Sequence, residues 1–319
     1  MIDFTEKFSA LESEMRGNIK KLPIDSAVKV YYGINPNGGF RLCFLSTKEV
    51  PQIDSTKLIR VSRGKEKEQV HWLNFDLLDL QAKAAFYALC GSLTSVIQDE
   101  KIKTEDAALT ALKNRFYIWR KLLKKEDSGL SEEMSKGLFG ELFFISHILV
   151  PKIGIDGAVE AWSGPDGFTK DFAYDDTWYE IKTIAASAVT IKISSISQLL
   201  SPTDGHLTVI KVDALGEKYE GENTSINMLV NAILAQVSND ETREHFLEKL
   251  IKYGYSVGAF ENKRYQVISM NTYLVNNEFP RLLESDVRHS EIAKVTYELI
   301  INTLDKFKED GTYDGFARI

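Results

Sequence analysis

The spacing of hydrophobic residues changes period several times along the chain. Phe4, Phe8, Leu11 and Met15 recur at helical intervals and predict an amphipathic helix over residues 2–20. Four strand-like runs follow at 28–33, 39–45, 58–62 and 69–75, separated by turn clusters such as Asn35-Pro36-Asn37-Gly38-Gly39. They predict a small antiparallel sheet. Helical patterns over 77–99 and 104–125 close the first half, and the polar stretch after Lys125 marks a domain boundary. In the second half, Ser131 followed by Glu132 and Glu133 is an N-cap with acids where the helix dipole favours them, so a helix is expected over 132–149. Pro151 opens a Gly- and Asp-rich loop reaching Gly167. Strand patterns then appear at 171–174 and 178–184, joined at Asp175-Asp176, and at 189–193 and 207–212. Helices are expected over 224–237 and 241–253, with late strands at 264–275 and 292–301. The order of elements predicts an α+β protein, with an N-terminal module over 1–125 and a second domain over 126–319.

Composition sharpens this picture in two places. With 319 residues, 44% of them hydrophobic and 27% charged, the chain can bury two cores. Cys43 and Cys90 both lie in apolar runs, where a thiol behaves as a small buried hydrophobe, so no disulfide framework is expected. The first residues mix charge with apolar side chains, and the longest apolar segment, 142–150, is far short of the roughly 20 residues of a membrane helix. A cytoplasmic protein without membrane association is the expectation. The net charge of −7 hides an asymmetry: residues 1–130 carry 21 Lys+Arg against 17 Asp+Glu, and residues 131–319 carry 18 against 29. A mildly basic half can engage a polyanion while an acidic half holds cations, although surface charge also varies along chains without such meaning. Within 104–125 the cations Lys113, Arg115, Arg120, Lys121, Lys124 and Lys125 surround Phe116, Tyr117 and Trp119. Arg120, Lys121, Lys124 and Lys125 are candidates for DNA phosphate contact, or equally the wet side of a helix whose aromatic residues are core.

Common phosphate-loop, dinucleotide-binding, Cys-x-x-Cys and His-Glu-x-x-His motifs are absent, and the five histidines fall at no metal-ligand or triad spacing. The chemistry concentrates between Trp162 and Thr183. If Asp175-Asp176 is a two-residue turn, paired positions sum to 351, and Asp171 lies opposite Glu180 on one face of the hairpin. Alternation puts Lys182 on the same face and Phe172, Tyr174 and Ile181 on the other. Two opposed carboxylates repel unless a cation lies between them, and oxygen ligands of this kind suit Mg²⁺, which keeps waters and substrate phosphate in its shell. A lysine beside such an ion fits phosphodiester hydrolysis. A surface hairpin in which Lys182 only salt-bridges Glu180 explains the same triplet without any chemistry.

The arrangement Asp-x(8)-Glu-x-Lys on a hairpin, after a helix with an internal glutamate, resembles the core of the PD-(D/E)XK nuclease superfamily. More closely, Gly137-Leu138-Phe139-Gly140-Glu141-Leu142, Trp162-Ser163-Gly164, Asp171-Phe172, Glu180-Ile181-Lys182-Thr183, Phe279-Pro280-Arg281-Leu282 and Val295-x-Tyr297 are similar to a bacterial PD-(D/E)XK family linked by neighbourhood to restriction and phage-defence systems. These motifs span most of 130–300, and the N-terminal half adds little to them. The literal Pro165-Asp166 departs from the hairpin register, which favours Asp171.

The resemblance implies a restriction-endonuclease-like mixed sheet flanked by helices in the second domain. Asp171, Glu180, the Ile181 carbonyl and Glu141 would be metal ligands, Lys182 the catalytic lysine, and Gln198, at the start of an expected helix, a polar site residue, although a simple capping segment explains it equally well. Glu141 sits beside the Leu138–Leu142–Ile145–Leu149 stripe, so a solvated edge is also open to it. The expected activity is Mg²⁺-dependent endonucleolytic cleavage of DNA, with Mn²⁺ able to substitute, in restriction or anti-phage defence. RNA is not excluded as substrate. The alternative is a catalytically inactive nuclease-fold module that binds DNA or protein. Expected partners are DNA, a methyltransferase or helicase of the same system, and a second copy of the chain, because cutting two strands needs two sites.

Overall fold

The computed structural model describes residues 2, 4–11, 16–66, 69–123, 130–216, 219, 221, 223–237, 239–256, 263–309 and 313–314. The chain forms two compact units, one of residues 1–129 and 231–261, the other of 130–230 and 262–319. The contiguous second domain expected over 126–319 is therefore interrupted, since 231–261 belong to the first unit. The expected boundary and the candidate phosphate contacts Lys124 and Lys125 lie outside the described residues.

The first unit carries an antiparallel sheet of β1 (Ile19–Leu22), β2 (Lys29–Ile34), β3 (Phe40–Ser46), β4 (Ile59–Lys65) and β5 (His71–Leu77), in the order β1-β2-β3-β5-β4. Four of these strands match the sequence pattern. The fifth, β1, replaces the end of the helix expected over 2–20: α1 spans only Phe4–Ser9, Gly17 adopts φ +83°, and its N–H reaches Ile34 O, which starts the pairing with β2. Met15 lies outside the described residues. Across β3 and β5, Arg41 and Asp76 are register partners joined by two hydrogen bonds of 2.6 and 2.8 Å.

Helices α2 (Lys83–Val96) and α3 (Glu105–Leu122) follow. Thr104 caps α3 by accepting from Ala107 N. Phe116 and Trp119 of α3 are buried core residues, and Arg115, also buried, binds Glu244 and Ser92 Oγ. Arg120 pairs with Asp54 at 3.0 Å, and Lys121 is exposed. Both cysteines are buried free thiols.

The second unit is built on a mixed sheet. Its strands are β6 (Phe172–Tyr174), β7 (Thr177–Ala185), β9 (Gly205–Leu215), β10 (Thr224–Ser225) and β11 (Arg264–Val275), ordered β10-β11-β9-β7-β6, with β13 (Tyr313–Asp314) also paired to β11. β7 and β9 run parallel and the other pairs antiparallel. A separate ribbon pairs β8 (Thr190–Ile193) with β12 (Tyr297–Ile300). β12 is shorter than the strand expected over 292–301, because its apolar residues meet a partner only along the four positions of β8. The boundary between Val230 and Asn231 falls inside helix α6 (Ile226–Gln236), and α7 (Asp240–Tyr253) lies in the first unit.

Helix α4 (Glu132–Phe144) starts where the sequence places it, with Ser131 Oγ accepting from Met134 N at 3.1 Å. It continues through a π-helical turn at Ile145–Leu149 into α5 (Val150–Ala161), so most of the loop expected from Pro151 to Gly167 is helical. Pro151 lies in the first turn of α5, where its missing N–H breaks nothing, and Gly154, at φ +75°, only kinks the helix. Buried Ala158, Val159 and Ala161 supply the apolar face that the glycines obscured. Among the described residues, the run Glu132–Ala161 is long and apolar enough to cross a membrane by length and composition; half of its most apolar window is buried inside the protein.

One face of the β6–β7 hairpin packs on this helical run: Phe144 lies 5.2 Å from Phe172 and 5.1 Å from Tyr179 between ring centroids. The opposite face, beginning with Trp178, joins a core of Ile191, Ile193, Leu207, Val209, Leu299 and Phe279. The α+β class and the mixed sheet flanked by helices are as the sequence indicated.

Candidate active site

The β6–β7 hairpin has the 351 register. Phe172 pairs with Tyr179, Ala173 with Trp178 and Tyr174 with Thr177, and Asp175 takes the left-handed conformation at φ +50° that a tight hairpin turn requires. Asp171, one residue before β6, keeps its place beside β7: its Oδ2 accepts from Ile181 N at 2.7 Å. Glu180 is 1% exposed. Its Oε1 accepts from Lys182 Nζ and from Gln198 Nε2, each at 2.7 Å. The i,i+2 ion pair of the bland sequence reading is thus present, but within a buried acid cluster and not on a solvated surface.

Glu141 is 6% exposed and not a solvated edge residue. Its Oε2 accepts from Trp162 Nε1 at 2.7 Å. The same oxygen and Asp171 Oδ1 both flank Gly164, since a Cβ built there would lie 3.4 Å from the first and 3.3 Å from the second. A side chain at 164 would crowd both acids. Gly140, next to Glu141, makes another close approach, because a Cβ there would collide with Thr183 Oγ1. Helix α4 thereby lies directly against β7 beside Lys182. Gln198 sits in a single 3₁₀ turn, Ile196–Gln198, in place of the helix expected there, and its Oε1 accepts from Ser194 N at 2.7 Å.

Asp166 lies in the 3₁₀ turn Gly164–Asp166 and is exposed, whereas Asp171 is partly buried and faces β7. Asp171, Glu180, Lys182 and Gln198 are therefore brought together, with the Ile181 backbone among them, Glu141 meeting Asp171 across Gly164, and Asp166 outside. Sequence reasoning missed Lys170. Alternation from Asp171 would turn it to the wrong face, but residues 169–171 bend ahead of β6. Lys170 Nζ donates to Ser197 O at 2.8 Å and Gln198 O at 2.6 Å, 3.9 Å from the centroid of the Trp178 ring.

The electrostatics follow from burial. Desolvation, reinforced by the charge of Asp171, pushes the Glu180 carboxyl up to about 8 against the opposing pull of Lys182 and Lys170. Burial likewise raises Asp171, opposed by its bond from Ile181 N and by the two lysines. Burial draws the Lys170 ammonium down to about 8 despite the two acids.

Does this donor set suit a divalent cation? Glu180 Oε2 is buried and has no hydrogen-bond partner among the described residues, while its sister oxygen has two. An orphaned carboxylate oxygen beside a second acid is a site short of positive charge. Among the described residues no group of three or more His, Cys, Asp or Glu comes together to hold a metal alone. Asp171 and Glu180 are two carboxylates, and Mg²⁺ commonly binds through one or two and completes its shell with water and phosphate. The pair fits the group: Asp171 and Glu180 would hold it, beside the Ile181 backbone.

A buried acid pair and a lysine on a β-hairpin of a mixed sheet define a nuclease-like class of protein. The family model described as "Putative PD-(D/E)XK family member, (DUF4420)" matches residues 4–302, and the chain belongs to this family. The match begins at residue 4, so the N-terminal unit, which added little to the motif comparison, is part of the family's architecture. Searches of curated proteins and of solved structures found no match.

Proposed function

We propose that the protein is a Mg²⁺-dependent endodeoxyribonuclease, able to use Mn²⁺, that acts in the bacterial cytoplasm within a restriction or anti-phage defence system. The observation that carries this reading is the unpartnered Glu180 Oε2 beside Asp171, in a cluster whose Lys182 ammonium lies 2.7 Å from Glu180 Oε1. Family membership supports a nuclease, and the resemblance to defence-linked proteins supports the biological setting.

In the proposed hydrolysis a water oxygen bonds to phosphorus as one ester P–O bond breaks, leaving a phosphomonoester and a hydroxyl end. A cation held by Asp171 and Glu180 would supply Lewis-acid polarisation of the phosphodiester. Asp171 is held ready by the Ile181 N–H, so its carboxylate needs little reorganisation when the substrate arrives. Lys182 places a positive charge where negative charge accumulates on the phosphoryl oxygens, and its ammonium can orient the attacking water. Gln198 and Lys182 together fix Glu180 Oε1 and leave Oε2 for the ion. Glu141, tied to Trp162, closes the acidic side of the site. A homodimer would present two such sites to opposite strands. Arg120 and Lys121, with Lys124 and Lys125, are the proposed phosphate contacts of the N-terminal unit, and a methyltransferase or helicase is the proposed partner.

Supercoiled plasmid incubated with the protein and Mg²⁺, Mn²⁺ or EDTA tests the reading. Metal-dependent nicking or linearisation that Asp171→Asn abolishes is expected. Metal-independent cutting, or DNA binding without cleavage in either metal, would overturn it, the latter in favour of a non-catalytic binding module.

A further inference from the structure

The Phe279-Pro280-Arg281-Leu282 motif and Lys170 have no part in the chemistry above, yet both end on one short turn. Ile196–Gln198 is a single 3₁₀ turn whose own closing bonds, Gln198 N to Ser195 O and Leu199 N to Ile196 O, are both 3.3 Å, at the long end of the range. Its carbonyls point to cations. Lys170 Nζ takes those of Ser197 and Gln198, and Arg281 Nη1 takes the next one, Leu199 O, at 2.7 Å.

Each cation is itself held in place. Lys170 lies against the buried Trp178 ring. Arg281 follows Phe279, whose ring is 3% exposed and packs on Phe307, and Leu282 N donates to Tyr297 OH at 3.4 Å. Three consecutive carbonyls are thus held by two cations, one from each of the two segments of this unit. The side chain that the turn presents is Gln198, with Oε1 accepting from Ser194 N and Nε2 donating to Glu180 Oε1.

We infer that Lys170 and Arg281 are positioning residues that clamp the Ile196–Gln198 turn, hold Gln198 on Glu180 Oε1, and so leave Glu180 Oε2 directed at the cation. The inference rests on the metal-dependent reading proposed above and explains two side chains which that reading leaves idle. It also has a sign that simple electrostatics does not share. Removing a positive charge near two carboxylates should by itself tighten cation binding. Loosening the clamp should weaken it, by about 10–100-fold if these residues act as outer-shell supports of a metal site commonly do.

The test is Mn²⁺ affinity, read by electron paramagnetic resonance on the full chain, for wild type, Lys170→Met, Arg281→Met, Gln198→Ala and each clamp variant combined with Gln198→Ala. A second readout in the metal-free protein is the side-chain amide resonance of Gln198 under selective glutamine labelling. The clamp variants should bind Mn²⁺ about 10–100-fold more weakly, shift the Gln198 amide, and no longer weaken binding once Gln198 is alanine, where only the opposite effect of the lost charge remains. Lys170→Arg, which can serve both carbonyls and stack on Trp178, should restore wild-type behaviour. If Lys170→Met does not fold, Arg281→Met carries the same test. Unchanged or tighter Mn²⁺ binding in the clamp variants, with wild type binding normally, overturns the clamp alone. Absence of Mn²⁺ binding in wild type overturns the metal-dependent reading and the clamp with it.

Discussion

Gly140→Ala is the substitution for which sequence propensity and structure disagree most sharply. In an exposed helix interior the change stabilises by about 1 kcal/mol. At Gly140 the added Cβ would collide with Thr183 Oγ1, lie 3.1 Å from Thr183 Cβ and 3.5 Å from Ile181 Cγ2. Thr183 is β-branched on a strand, so only the rotamer that turns its Cβ hydrogen toward the helix relieves the collision, and Thr183 Cβ still lies 3.1 Å from the added carbon. Overpacking of this kind costs about 1–3 kcal/mol. With the contact this close we take the upper end, which leaves a net loss of about 2 kcal/mol after the helix gain. For a unit of this size that corresponds to a drop in melting temperature of about 4–8 °C. Because Gly140 adjoins Glu141 and Thr183 adjoins Lys182, the displacement also moves both sides of the acid site. Thermal melts of the full chain for Gly140→Ala, Thr183→Ala and the double variant measure the effect. Thr183→Ala removes the colliding atom, an oxygen that is buried with no hydrogen-bond partner among the described residues, so the double variant should recover the loss and show a coupling of about 2 kcal/mol or more. A Gly140→Ala protein melting at or above wild type, or a double variant no better than the single, would refute the close-approach argument.

Three further outcomes are expected. Lys182→Ala should reduce plasmid cleavage by several orders of magnitude while Mn²⁺ affinity stays within a few-fold of wild type, because its charge acts mainly on the transition state; single-turnover kinetics and metal titration separate the two. Glu180, whose carboxyl burial lifts to about 8, contributes stability that is fully present below its ordinary pKa and is lost as pH rises through about 8. Metal-free protein should therefore become less stable between about pH 5 and 8, and saturating Mg²⁺ or Glu180→Gln should flatten that slope in denaturant titrations. The Lys170 shift, which acts between about 8 and its ordinary value, gives the opposite trend only above this window. Trp162→Phe removes the indole donor to Glu141 Oε2 and should cost about 1–3 kcal/mol in the same titrations, the range for removing one partner of a buried hydrogen bond.

Where side-chain periodicity met ordinary local geometry, it located elements closely. The strand over 264–275, the Ser131 cap and the hairpin register centred on Asp175-Asp176 all follow from alternation and turn chemistry. The register carried the site with it, since it fixes which acids can face one another. The misses share a cause: residues judged by local rules were governed by distant partners. The first helix stops at Ser9, and the expected helix gives way after Gly17 because the following residues pair with β2; Pro151 does not stop a helix, since it lies in the first turn of α5 after the π-turn. Glu141 is buried because Trp162 supplies a donor, and Lys170 turns inward because the chain bends before β6 and Trp178 offers its ring face. The return of residues 231–261 to the first unit leaves no local mark in composition or turn residues.

The central claim is that Asp171 and Glu180 share a divalent cation. Anomalous diffraction from crystals soaked in Mn²⁺ tests it without a substrate or partner. The account predicts one strong peak coordinated by Asp171 and Glu180 Oε2, adjoining the Ile181 carbonyl, with Gln198 and Lys182 still on Glu180 Oε1. A peak bound by Asp166 with Asp171 turned away, or no peak at the acid pair under saturating Mn²⁺, would contradict it.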